Sequence, residues 1–183
     1  GEEIGMLNAH YPSIGQYRDV ESLNYYQILL DQGKTEKEAL ETLAARSRDN
    51  SRTPMQWNGE RYGGFSEAAP WLSMSARFRK EITVEAQQKD KDSILAFYKK
   101  LIAMRKTYPV IAEGGISFLE TGTDMVLAYQ RILGEQQLVV LCNLDGKRQT
   151  IKTSGQWKDF KVLLENYEGR EMVLEEGTFT MEP

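Results

Sequence analysis

The spacing of apolar residues changes near Pro109, and this change constrains the fold of the 183-residue chain more than any other feature. Before Pro109 the spacing is helical or irregular. After it the chain reads as short alternating segments separated by turns. A chain of this length holds one ordinary domain or two small ones. The change in texture predicts two parts, residues 1–109 and 110–183.

Before the change, three helices are expected. The first runs from about Val20 to Gln32, with Asp19 as its N-cap and Val20, Leu23, Tyr26 and Leu30 recurring on one face. Gly33 suits the position after a helix, where φ is often positive. Thr35 and Glu38 form a capping box for the second helix, whose apolar stripe is Ala39, Leu40, Leu43 and Ala44. Arg46 and Arg48 lie where cations favour a helix C-terminus. The third helix is capped by Asp92, buries Ile94, Leu95, Tyr98, Leu101 and Ile102, and stops at Tyr108-Pro109.

From about Asp49 to Asp90 no regular period is visible. The stretch contains Pro54, Gly59, Gly63, Gly64 and Pro70 interleaved with Trp57, Tyr62, Phe65, Trp71 and Phe78. Disordered segments are poor in aromatics, so this one reads as an ordered loop packed on a scaffold. Beyond Pro109, strands are expected at 116–120, 125–132, 137–144, 149–153, 160–167, 170–174 and 177–181. Gly134-Glu135 and Asp145-Gly146 are hairpin-turn signals.

Composition excludes several functions. The net charge of −4 disfavours nucleic acid or an anionic membrane as a partner. No apolar run approaches the ~20 residues of a membrane span. The segment Gly1–Met6 has neither the basic nor the apolar part of a secretory signal, and it starts without methionine, which suggests an internal beginning. With one cysteine, Cys142, no intrachain disulfide forms; it reads as a buried small hydrophobe, and a reducing cytoplasm is the expected setting. With one histidine, His10, a metal or triad site built on several histidines is excluded.

Two clusters carry polar chemistry. Ser47–Trp57 combines Arg48, Asp49, Arg52 and Gln56 with Trp57. Planar charged groups match sugar hydroxyls and aromatic faces match sugar rings, although the same arginines and aspartates could pair with each other to hold a loop. Tyr17–Asn24 contains Glu21, which could meet a substrate hydroxyl or simply sit as an acid in the first turn of a helix. Glu2 and Glu3 are adjacent. On an extended strand they point to opposite faces and cannot flank one glycosidic bond. His10 reads as a loop hydrogen-bonder, and the run Gln88–Asp92 as a solvated approach to a helix.

At these clusters the chain resembles the α-glucosidase branch of the α-amylase family, which includes oligo-1,6-glucosidases and trehalose-6-phosphate hydrolases. Gly1–Met6 resembles the end of that family's eighth barrel strand, and Arg48-Asp-Asn-Ser-Arg-Thr-Pro-Met-Gln-Trp57 resembles a long family signature. Gly64-Phe65, Pro70-Trp71-Leu72, Ile82–Glu85 and Asp92–Leu95 follow in the family's order. The resemblance implies an α+β fragment: the end of a (β/α)8 barrel, residues 1–109, followed by a small antiparallel β-sandwich, residues 110–183, lacking its last strand.

The same resemblance implies a retaining α-glucosidase parent acting on an α-glucoside, without cofactor or metal. Its catalytic carboxylates would lie in a preceding barrel portion, so no catalytic residue is expected in this chain. Arg52 is expected to hold the glucose ring in the −1 subsite, partnered with an upstream aspartate, and Glu21 to contact the +1 sugar. Ala9–Tyr11, Tyr17–Ser22 and Ser47–Ser51 look more like the trehalose-6-phosphate hydrolases, with Arg18, Arg46 and Arg48 as phosphate-binding candidates on charge alone.

Overall fold

A computed structural model describes residues 1–152, Trp157, 160–166, 174–175 and 177–181. The chain divides into two compact units, Gly1–Lys100 and Leu101–Pro183.

In the first unit, a 3₁₀ turn at Glu2–Ile4 closes on Gly5 in the left-handed region (φ 66°). The extended strand expected at Glu2-Glu3 is therefore absent, and both acids sit in one tight turn. A second 3₁₀ turn, Ile14–Gln16, leads to α1 (Val20–Asp31), which Asp19 caps by accepting from the Ser22 amide. The buried face of α1 is not the expected one. Ser22 and Leu29 are buried and Tyr26 is half-buried, whereas Val20 and Leu23 are exposed. The hydroxyl of Ser22 draws that face inward by bonding to Asp19 and Ser47.

Helix α2 (Glu36–Arg46) has the expected capping box at Thr35 and Glu38, and it buries Ala39, Leu43 and Ala44. Leu43 joins Ala9, Tyr11, Tyr17 and Leu72 in the first unit's core, with Ile14, Tyr26 and Leu40 packed against it. Leu72 belongs to the irregular stretch, which is ordered by hydrogen bonds to the rest of the unit. Ala76 N donates to Ala9 O, Tyr11 Oη donates to Ser73 O, and Gln87 Nε2 donates to Ile4 O. Within the stretch lie 3₁₀ turns at Arg48–Ser51 and Arg61–Gly64 and a short helix, α3 (Val84–Gln88). Gly63 at φ 64° lets its neighbours approach: a Cβ there would lie 3.3 Å from Gln56 Cα and 3.0 Å from Met74 Cε.

Helix α4 (Ile94–Thr107) is capped by Ser93, whose Oγ accepts from Ala96 N, rather than by Asp92. Ser93 stands immediately before the first helical residue, Ile94, which is the N-cap position, and the Asp92 amide donates to Asp90 Oδ1. None of the residues of α4 is buried, so the expected stripe is unmet: Ile94, Leu101 and Ile102 are exposed.

After α4, the second unit continues with α5 (Pro109–Glu113), a helix where sequence spacing suggested strand texture, and Pro109 takes the first-turn position where its missing N–H leaves no bond unmade. Strands β1 (Gly115–Phe118), β2 (Val126–Leu133) and β3 (Gln136–Asn143) form one antiparallel sheet in that order. β2 and β3 meet through the expected two-residue loop, with Gly134 at φ 58°. β4 (Gln149–Lys152), β5 (Leu174–Glu175) and β6 (Thr178–Met181) form a second antiparallel sheet in the order β4-β6-β5.

Asp145-Gly146 is thus a passage between sheets, not a hairpin, because β4 pairs with β6. Residues 160–166 carry no strand, and the expected strand positions at 153, 167 and 170–173 lie outside the described residues. Val126 of the first sheet packs with Ile151, Phe179 and Met181 of the second in one cluster, joined by Leu141 and Trp157. Cys142 is half-buried rather than fully buried.

Candidate substrate-facing site

The polar centre of the first unit is built where the segment before α1 meets the turn after α2. Asp49, fully buried, lies in the Arg48–Ser51 turn. Its Oδ2 accepts from the amides of Arg18 (2.7 Å) and Asp19 (3.0 Å), which locks the two segments together. Asp19 in turn accepts on Oδ2 from the amide (3.0 Å) and hydroxyl (2.8 Å) of Ser22. Ser22 Oγ lies 2.8 Å from Ser47 Oγ, and Ser47 Oγ accepts from Asp49 N. Ser22 has one hydroxyl proton, shared between Asp19 Oδ2 and Ser47 Oγ, so the two segments are tied through a single donor.

Arg52 supplies the countercharge. Its Nη1 lies 3.5 Å from Asp19 Oδ1 and 3.7 Å from Asp49 Oδ1, and its side chain is 41% exposed. Among the described residues Asp49 Oδ1 has no hydrogen-bond partner, so Arg52 is the cation beside it. Burial works to raise the Asp19 carboxyl, but the bonds from the Ser22 hydroxyl and amide, with the charges of Arg52 and Arg48, hold it below the ordinary carboxylate range. Beneath this centre Tyr11 and Tyr17 meet edge to face at 5.2 Å. Burial, with the negative charge of Asp49 close by, pushes the Tyr11 phenol up to about 12.

The residues expected to touch substrate separate into two kinds. Glu21, at the start of α1, projects outward and pairs with Arg48 (3.7 Å), and their side chains are 76% and 67% exposed. Arg52 is held by two carboxylates of this chain, Asp19 and Asp49, where an upstream aspartate was expected. Arg18 turns its Nη1 back to the carbonyls of Gly15 and Tyr17. Arg46 lies in the last turn of α2.

His10 meets Arg77, with Nε2 and Nη2 3.2 Å apart. Sequence spacing gave no sign of that pair, because 67 positions separate its members. Asp19 was expected only as a helix cap, and its second oxygen's pairing with Arg52 has no local signature. Among the described residues no group of three or more His, Cys, Asp or Glu could hold a metal ion, and no helix is long and apolar enough to cross a membrane.

Comparison with known proteins gives this geometry a family. Residues 1–114 match the alpha-amylase family, by its catalytic domain. The oligo-1,6-glucosidase of Parageobacillus thermoglucosidasius is 36% identical over 171 residues, 92% of this chain and 30% of the relative. The trehalose-6-phosphate hydrolase of Bacillus subtilis strain 168 is 39% identical over 176 residues, 93% of this chain and 31% of the relative. The crystal structure of Bacillus licheniformis trehalose-6-phosphate hydrolase matches with a TM-score of 0.86 at 39% identity, covering 100% of this chain and 33% of that one. The chain therefore spans about a third of the length of these relatives. The arrangement of helices and long loop is the barrel-related part of that fold, with antiparallel sheets after it, and the chain belongs to the α-amylase family.

Proposed function

We propose that this chain is the C-terminal portion of a cytoplasmic, retaining α-glucosidase, with trehalose 6-phosphate as the preferred substrate, cleaved to glucose and glucose 6-phosphate. Relatives named for that activity match at 39% identity. Its second unit is a small β-sandwich, a reading supported by the cluster that the two sheets share. In this reading the nucleophile and acid/base, about 5–5.5 Å apart in a retaining enzyme, lie in the preceding barrel portion. The chain by itself binds and orients and does not cleave. Its best-buried carboxylates, Asp19 and Asp49, are committed to backbone amides and to Arg52.

The observation that carries the reading is the exposed rim of Glu21, Arg48 and Arg52 above a buried, hydrogen-bonded base. A planar guanidinium held from behind presents its remaining N–H groups in a fixed fork, the geometry that grips vicinal sugar hydroxyls. Arg52 takes the −1 sugar and Glu21 the +1 sugar, with Arg48 fixing the Glu21 carboxylate. A stand-alone binding module is disfavoured because Val20, Ile28 and Trp71 are exposed at 69%, 47% and 66%, a display that suits a surface normally covered. An oligo-1,6-glucosidase parent is the second reading, because a relative of that name matches at 36% identity.

Steady-state kinetics of the full-length enzyme on trehalose 6-phosphate and isomaltose separate the two parents. Arg52→Ala is expected to lower kcat/KM on the preferred substrate by about a hundredfold or more. Near-normal kinetics would remove Arg52 from the substrate. The same substitution also tests the competing role that the ion pairs suggest, in which Arg52 only neutralises Asp19 and Asp49; in that case Arg52→Ala lowers stability and leaves kcat/KM near normal. Glucose release by the pure 183-residue chain above background would refute the division of labour.

A further inference from the structure

We propose that Asn58 is a site of spontaneous covalent modification, deamidation to aspartate and isoaspartate, whichever glucoside the parent enzyme cleaves. The chemistry needs a main-chain amide nitrogen to attack the carboxamide carbon of the residue before it. Among the chain's asparagines only Asn58 precedes a glycine, Gly59, so no side chain hinders approach to the following amide. The turn itself favours the attack. Asn58 Oδ1 accepts from Glu60 N at 3.0 Å, which polarises the carbonyl and stabilises the oxyanion that forms on it. The Gly59 amide and Asn58 Nδ2 donate no hydrogen bond among the described residues, so nucleophile and leaving group are both untethered. The Lys80 stem lies along Gly59, where a Cβ would meet its Cδ at 3.3 Å and its Cε at 3.7 Å, and its positive charge favours the amide anion.

Water is the only other reactant. Gly59 N gives its proton to solvent and bonds to Asn58 Cγ, the Cγ–Nδ2 bond breaks, and ammonia leaves with a proton taken from water. The succinimide that results opens when water adds to either ring carbonyl, giving aspartate or isoaspartate. Other asparagines are held differently. Nδ2 of Asn8 and of Asn50 donates to Ala44 O (2.9 and 3.0 Å), Nδ2 of Asn143 donates to Lys147 O (2.9 Å), and each is followed by a residue with a side chain. The modification falls inside a tight closure. The amides of Trp57 (2.7 Å) and Asn58 (3.0 Å) both donate to Gly63 O, and Glu85 N donates to Trp57 O (2.9 Å). Isoaspartate lengthens the main chain by a methylene within that closure, which loosens the loop at the end of the Arg48–Trp57 motif.

The test incubates the full-length enzyme in warm buffer and maps its peptides by mass spectrometry over time. The Asn58 peptide should exchange amide for acid about tenfold faster than any other asparagine peptide, and an isoaspartyl methyltransferase should label it. The native enzyme should react at least as fast as a short synthetic peptide of residues 55–62, because the fold polarises the carbonyl and leaves both nitrogens free. Gly59→Ala should slow the reaction about tenfold, since a Cβ then shields the amide and the flexible Lys80 stem can give way to it. Asn58→Gln supplies a second block, because the larger imide ring closes far more slowly. Aged wild type should show a lower urea midpoint than equally aged Gly59→Ala. A native rate below the peptide's, an Asn58 rate no greater than that of Asn24, or a Gly59→Ala rate equal to wild type would each overturn the proposal. An unchanged midpoint in fully modified enzyme would overturn its consequence for the loop.

Discussion

Replacing Arg52 by methionine should destabilise the protein, and the structure sets the size of the effect. The substitution keeps most of the apolar stem and removes only the charge. It leaves Asp49, fully buried, and Asp19, 6% exposed, with no guanidinium at 3.5–3.7 Å. Deleting one partner of a fully buried pair costs about 3–5 kcal/mol, and an exposed pair is worth about 0.2–1 kcal/mol. The Arg52 side chain is 41% exposed, so solvent screens part of the interaction and about 1–3 kcal/mol is expected.

Urea unfolding followed by tryptophan fluorescence measures this as a fall in midpoint at constant slope. Asp49→Asn supplies the control. Both amide bonds to Asp49 fall on Oδ2, so an asparagine oxygen can keep them while the charge facing Arg52 is lost. The double variant should therefore be more stable than Arg52→Met alone, because the orphaned buried charge is gone. An Arg52→Met variant within about 0.5 kcal/mol of wild type, or a double variant no better than the single, would refute the assignment of Arg52 as countercharge.

The Asp19 carboxyl is held below its ordinary value of 3.8, so its contribution is complete above that pH and is lost as pH falls through the depressed value; Arg52→Met removes one cause, and its acid-unfolding midpoint should move to higher pH. Tyr11 shows the opposite sign, since a phenol raised to about 12 keeps its proton in the fold while the unfolded chain releases it from about pH 10. Stability should fall between those values, and Tyr11→Phe should flatten the slope in alkaline denaturation. Thr35→Ala breaks the capping box of α2 and should cost about 1 kcal/mol in urea unfolding. Gly63→Ala should cost about 1–2 kcal/mol from the left-handed backbone alone, and more if Gln56 Cα cannot yield, again read from the urea midpoint.

Local physics made much of this chain legible from its sequence. Asp19, Thr35 and Glu38 cap α1 and α2 because each satisfies an amide within three residues, a distance that sequence spacing encodes directly. Gly134-Glu135 makes a hairpin turn for the same reason, since the turn and its glycine lie side by side in the chain. The long motif from Arg48 to Trp57 identified the family for a related reason: ordered residue types survive as a string whatever they contact.

Tertiary structure alone decided what those residues do to one another. Asp49 bonds amides 30 and 31 positions away, Arg52 reaches Asp19 across 33, and Arg77 reaches His10 across 67. No period or propensity carries such separations, because the partners meet only after α1 and α2 pack around Tyr11, Tyr17 and Leu43. Burial likewise chose Ser22 over Val20 as the inward side of α1, a polar residue that hydropathy alone assigns to solvent. Sequence thus determined the ends of the early helices, the central hairpin and the family. Chain closure determined which charges face each other, since electrostatic and hydrogen-bonding energies depend on distances through space and not along the chain.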